Sequence, residues 1–150
     1  MKQEESVDYH IKFAWHHINK MYNAEASEHG TTTAHAYVLL NIDKLKGTPA
    51  TQIGPKLGME PNSLGRILNT LEELGYIKRT VDEKDKRKII ISLTKQGLFQ
   101  REIAADVVKK FNYKVRAKVT DEELNAFFKV ITQIQKIAKN PKTNYEEENN

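Results

Sequence analysis

Asn62, Ser63, Arg66 and Asn69 stand at three- and four-residue steps, and with Gly65 and Thr70 they make one small, polar side of a short segment. Asn and Arg can each form paired hydrogen bonds with the edge of a purine, while glycine and serine let a backbone approach closely. The chemistry offered is recognition of a hydrogen-bonding edge. A few residues later, Lys78, Arg79, Lys84, Lys86, Arg87 and Lys88 outnumber Asp82, Glu83 and Asp85, a cluster suited to neutralising phosphates.

The polar side needs an element to carry it. Leu64, Ile67, Leu68, Leu71 and Leu74 recur with the period of a helix buried on one side. Pro61 fits a first helical position and Gly75 a left-handed C-terminal cap, so the spacing predicts a helix from about Pro61 to Leu74. Upstream, Thr48 and Pro49 read as the cap and first position of a shorter helix that buries Ile53 and Leu57 and ends at Gly58. A short helix, a glycine-containing turn and a longer helix follow the helix-turn-helix plan, in which the second helix enters the major groove. Taken alone, the pair is equally an ordinary helical hairpin. Ile77 to Arg79 and Ile89 to Leu93 are β-prone runs flanking a charged stretch, which predicts a hairpin with a charged tip. An isolated run of this kind is usually a solvated turn; beside a groove-reading helix it is a second contact to nucleic acid, and an arginine there could enter a narrow minor groove.

The segment from Leu57 to Gly97 resembles the MarR family of bacterial transcriptional regulators. The wing signature, Asp-x-Arg followed by β residues and Leu-Thr, stands here as Asp85, Arg87, Leu93 and Thr94; the helix-to-wing junction stands as Leu71, Leu74, Gly75, Tyr76, Ile77 and Arg79. The resemblance implies a mainly α fold with a small β-hairpin wing: a winged helix-turn-helix lobe at 32–94 and dimerisation helices at 6–29 and 95–139 in a single chain of 1–150. It implies that Arg87 reaches into the minor groove, that Asp85 orients it, and that Asn62, Ser63 and Arg66 contact bases or phosphates. Asn69 shares their face, and Lys84, Lys86 and Lys88 flank Arg87. Glu60 replaces the usual small hydroxyl cap and Gly65 a commonly larger polar residue, departures that bear on operator sequence and affinity.

The other helices are legible on their own. Residues 7–26 align Ile11, Trp15, Ile18 and Tyr22 in one stripe, with Ala14 and Met21 beside it. After Thr33, the residues Ala34, Val38, Leu39, Ile42 and Leu45 predict another buried helix. Thr94 caps a long helix through Leu98, Ile103, Val107, Val108, Phe111 and Val115. A capping box from Thr120 to Glu123 starts a last helix through Leu124, Phe127, Phe128, Ile131, Ile134 and Ile137. Such apolar terminal helices must pack on each other, on a partner subunit, or both. The resemblance favours an intertwined homodimer, which also suits the two half-sites that helix-turn-helix dimers bind.

Composition bounds the rest. A net charge of +4 over 150 residues is modest, so a field that attracts nucleic acid must come from clustering. No apolar segment is long enough to span a membrane and no secretory pattern is present, which with the resemblance implies a cytoplasmic, nucleoid-associated protein of a bacterium or archaeon. The stretch 140–150 reads as a disordered acidic tail. With no cysteine there is no thiol to sense oxidants. His10, His16, His17 and His35 lack the spacing of a metal site, so no metal or cofactor is expected. MarR-like dimers hold ligands such as aromatic carboxylates between the DNA-binding lobe and the dimerisation helices. There the chain offers Trp15, His16, Tyr37 and Phe111 as lining candidates for a small aromatic or amphipathic ligand, although aromatics at helical spacing are usually core. No glycine-rich phosphate loop, paired carboxylates or nucleophile with a local base supports an enzyme. The reading is a homodimeric, ligand-responsive repressor on double-stranded DNA; the alternative is a winged-helix protein that binds DNA without sequence preference, or binds protein.

Overall fold

The computed structural model describes residues 1–139, so the expected tail at 140–150 lies outside the described residues. After a 3₁₀ turn at Gln3–Glu5 come α1 (Val7–Ser27), α2 (Thr33–Leu40), β1 (Thr48–Pro49), α3 (Ala50–Leu57), α4 (Pro61–Glu73), β2 (Ile77–Val81), β3 (Ile89–Leu93), α5 (Lys95–Arg116) and α6 (Asp121–Lys139). The strands form an antiparallel sheet in the order β1-β3-β2. Among the described residues no helix is long and apolar enough to cross a membrane. The chain divides into two units, Met1–Val108 and the part from Lys109 onward.

In the first unit, Val38, Leu39, Ile42, Ile53, Leu64, Leu68, Leu71, Ile77 and Ile91 form one buried cluster. Each buried aliphatic side chain of this kind contributes roughly 1.5–3 kcal/mol through removal from water. The cluster joins α2, α3 and α4 to the sheet, which fixes the helix-turn-helix against the hairpin. The α1 stripe is covered only toward its end: Tyr22 is buried and Ile18 half-buried, while Trp15 is 48% and Ile11 38% exposed. In the second unit, the residues of α6 that the sequence marks as apolar divide similarly. Leu124, Ile131 and Ile134 are half-buried, and Phe127, Phe128 and Ile137 are exposed.

Two expectations are corrected. Thr48 and Pro49 do not open a helix; they form β1, pairing with Ile91 and Ile90, and α3 begins at Ala50. The Thr48 hydroxyl instead accepts from the Asp43 N–H at 2.8 Å. Leu45, placed on a buried helical face, is 94% exposed because α2 ends at Leu40. The Asp43 carboxylate accepts from the Leu45 and Lys46 N–H groups, both at 2.8 Å, and closes a turn where the 3.6-residue period would have continued. Those two backbone bonds hold the Asp43 carboxyl below its ordinary range.

Caps account for other boundaries. The Thr120 capping box forms as expected, with Thr120 N–H donating to Glu123 Oε2 at 2.8 Å and Glu123 N–H to Thr120 Oγ1 at 3.1 Å. A second box starts α2: Thr32 N–H donates to His35 Nδ1 at 3.1 Å, and His35 N–H to Thr32 Oγ1 at 3.4 Å. Desolvation by burial pushes the His35 imidazole below its ordinary value of 6.5. The unfolded chain therefore takes up this proton first, so the contribution is complete above about pH 6.5 and is lost as pH falls from there through the folded value. His35→Gln keeps an acceptor at the box and removes the titration. Urea midpoints of the wild type should fall relative to those of the glutamine variant between pH 7 and 5; parallel profiles would refute this role.

Candidate nucleic-acid interface

The amphipathic pattern of α4 is realised in the fold. Leu64, Leu68 and Leu71 are buried, and Asn62, Ser63, Arg66 and Asn69 are exposed on the other side. Pro61 occupies the start of the helix, and the Glu60 side chain makes no capping bond, as its carboxylate in place of a small hydroxyl would suggest. Gly75 follows the helix at φ +75°, the left-handed conformation that ends it. Arg66 lies back along the helix, its Nε 3.5 Å from Asn62 O. Nothing stands within 4 Å of a Cβ built on Gly65, so this position leaves the reading face open.

The hairpin is tied at its tip. Asp82 N–H donates to Lys88 O and Lys88 N–H to Asp85 O, both at 2.9 Å. Asp85 Oδ1 then accepts from the Arg87 N–H at 3.1 Å and from Arg87 Nε at 3.2 Å. These bonds from the Arg87 backbone and side chain hold the Asp85 carboxyl below its ordinary range. The Arg87 side chain is 92% exposed, so its guanidinium projects into solvent with its base end oriented by a carboxylate. Lys84, Lys86 and Lys88 are exposed beside it. This arrangement is able to present one aimed guanidinium and three ammonium groups to phosphates or a groove.

A contact between the two parts had no signal in sequence spacing. Arg79 on β2 pairs with Glu72 of α4 at 2.6 Å and donates to Asn69 Oδ1 at 2.8 Å. Asn69, expected to face bases, is thus engaged at its oxygen by the wing strand. Arg79 was visible only as one cation of the hairpin.

The expected ligand-lining residues divide differently. An apolar cleft with about 40 Å³ of free volume runs between the end of α1, α2 and the part of α5 up to Val108; Tyr22, Tyr37, Leu39, Ile103 and Val107 are among its walls. Tyr37 is there, and burial raises its phenol above the ordinary value. Trp15 and His16 do not line it. Trp15 instead stacks on Tyr37 with centroids 6.2 Å apart, and His16 meets His17 edge-on at 5.4 Å. Phe111 belongs to the second unit and is half-buried. Among the described residues no three His, Cys, Asp or Glu side chains are grouped to hold a metal ion.

A helix-turn-helix whose second helix is polar on its free side, followed by a basic hairpin docked on that helix, defines a winged helix-turn-helix protein. Residues 29–88 match the model of the MarR family. The chain is 32% identical over 96 residues to the HTH-type transcriptional regulator SarZ of Staphylococcus aureus (strain USA300), a match covering 63% of this chain and 65% of that regulator. It therefore spans slightly less than two-thirds of that relative's length. Among solved structures, the S. aureus MepR–DNA complex aligns with a TM-score of 0.81 at 18% identity, over 87% of this chain and 97% of that one. The PcaV transcriptional regulator from Streptomyces coelicolor, in complex with its natural ligand, aligns at 0.79 and 19% identity over 92% and 97%. These two likenesses bear on the fold. Over residues 29–88 the winged helix-turn-helix of this chain is thus similar to the MarR family.

Proposed function

We propose that this protein is a sequence-specific, double-stranded-DNA-binding transcriptional regulator that acts in the cytoplasm as a homodimer on a palindromic operator. The observation that carries this reading is the pairing on one lobe of a polar α4 face with an Arg87 aimed by Asp85. Asn62, Ser63 and Arg66 contact bases or phosphates in the major groove; Arg87 enters the minor groove, and Lys84, Lys86 and Lys88 neutralise phosphates. The uncovered apolar residues of α1 and α6 supply the surface that a second copy buries, with 6–29 and 95–139 as the dimerisation segments. Repression relieved by a small aromatic or amphipathic ligand completes the proposal. The Tyr37 cleft supports that element by its apolar walls, and its free volume requires that such a ligand widen it. Linkage then demands that DNA weaken ligand binding as much as ligand weakens DNA binding.

The test is selection from a random-sequence duplex library, then titration of the best duplex at two salt concentrations. An inverted repeat with half-sites about one helical turn apart is the expected result. No motif, with binding that vanishes as salt rises, would replace this function by non-specific DNA binding. On the selected duplex, Arg66→Ala should lower affinity about tenfold or more and relax preference at particular base pairs. Unchanged specificity would remove Arg66 from base reading.

A further inference from the structure

Arg79 stands on β2, yet its guanidinium reaches α4 at two points. Nη1 donates to Glu72 Oε1 at 2.6 Å and Nη2 to Asn69 Oδ1 at 2.8 Å. Asn69 and Glu72 are three residues apart, hence neighbours on the helix surface, and the two prongs of a planar guanidinium span them. Which end of the Asn69 amide faces Arg79 is fixed by chemistry. A guanidinium has only donors, so the amide oxygen must meet it and the NH₂ group must point elsewhere. No side chain among the described residues takes Asn69 Nδ2, and Asn69 continues the exposed line of Asn62 and Arg66 along the helix.

We infer that Arg79 fixes Asn69 as a donor-only reader of DNA, and that Arg79 is a positioning residue for specificity. The inference rests on the DNA-reading function proposed above. A paired contact to adenine needs both ends of an amide, the oxygen accepting from N6–H and the nitrogen donating to N7. Oδ1 keeps a second lone pair, but Arg79 holds that oxygen in place, so the end of Asn69 that the bridge leaves to turn toward DNA is the N–H. It bonds an acceptor, which guanine N7 or O6, thymine O4 and a phosphate oxygen all supply, and adenine loses the advantage an unrestrained asparagine would give it. The Arg79 charge is matched by Glu72 within the protein, so its effect on DNA passes through Asn69.

The experiment selects duplexes with wild type, Asn69→Ala, Asn69→Asp and Arg79→Met, then titrates each protein on the best wild-type duplex and on duplexes changed one base pair at a time. Asn69→Ala should weaken binding to the best duplex about threefold, the loss of one neutral hydrogen bond. Asn69→Asp keeps an acceptor for Arg79 but turns a carboxylate toward an acceptor, so the loss should reach about tenfold or more. Arg79→Met frees Oδ1 and should raise the preference for adenine about threefold where Asn69 reaches a base, with other positions unchanged. If Arg79→Met shifts no base preference, Asn69 meets a phosphate and not a base, and the specificity role of Arg79 is overturned. A merely structural loosening of the wing would instead weaken every duplex alike. Wild-type affinity in both Asn69 variants, or an adenine requirement in wild type that Asn69→Ala abolishes, would overturn the inference alone. A wild-type chain that enriches no sequence would overturn the DNA-reading function, and this inference with it.

Discussion

Gly97→Ala is expected to cost about 3 kcal/mol of stability, roughly 6–12 °C in Tm for a chain of this size. In a helix interior the same change ordinarily gains up to about 1 kcal/mol, so propensity and packing oppose each other here. Packing decides. A Cβ at Gly97 would lie 1.8 Å from Tyr76 O and 2.7 Å from its carbonyl carbon, atoms of backbone that cannot swing aside. That carbonyl also accepts from Thr94 N–H at 3.0 Å, and Thr94 Oγ1 both donates to Gly75 O at 2.5 Å and accepts from Gly97 N–H at 3.0 Å. Lifting the start of α5 to fit the methyl group would loosen these bonds together, where α4 hands over to β2. Urea denaturation at matched protein concentration checks this; an alanine variant as stable as wild type would show that α5 docks less closely than described.

Arg87→Ala should lower affinity for the selected duplex about ten- to a hundredfold and flatten the salt dependence by about one counterion. Its side chain is 92% exposed and its ion pair with Asp85 lies at the surface, so stability should hardly change. Asp85→Asn should lose less, since it leaves the cation in place and removes only its aim. Fluorescence anisotropy at two salt concentrations measures both variants, and gel filtration verifies that assembly is unaltered. If Arg87→Ala binds within about twofold of wild type, the wing does not enter the groove as proposed.

The parts of this fold that announce themselves in the sequence are those set by neighbours along the chain. The leucines of α4 recur at helical steps, Gly75 takes the left-handed conformation its position called for, and the Thr120 box closes with its own Glu123. Contacts between distant segments were not legible. Thr48-Pro49 has the local form of a helix start, and only its pairing with Ile90 and Ile91, some forty residues away, makes it a strand. Leu45 continued an apolar period that the Asp43 turn interrupts. At the candidate site the exposed polar face and the Asp85–Arg87 pair could be read because their partners lie within a helix or a tight turn. The Arg79 bridge could not, since it depends on how β2 docks against α4. The cleft was not legible for a similar reason: aromatics drew attention to Trp15 and His16, whereas its walls are mostly aliphatic and include Tyr37 alone of the residues named.

The two-residue β1 also governs what the sheet can do in company. Sheet edges invite strands from other molecules, and a protein present at high local concentration on DNA would be exposed to that hazard. Here one edge is too short to template a ladder and ends in Pro49, which has no N–H to offer, while the opposite edge strand carries Lys78 and Arg79. The fold thereby discourages edge-to-edge polymerisation.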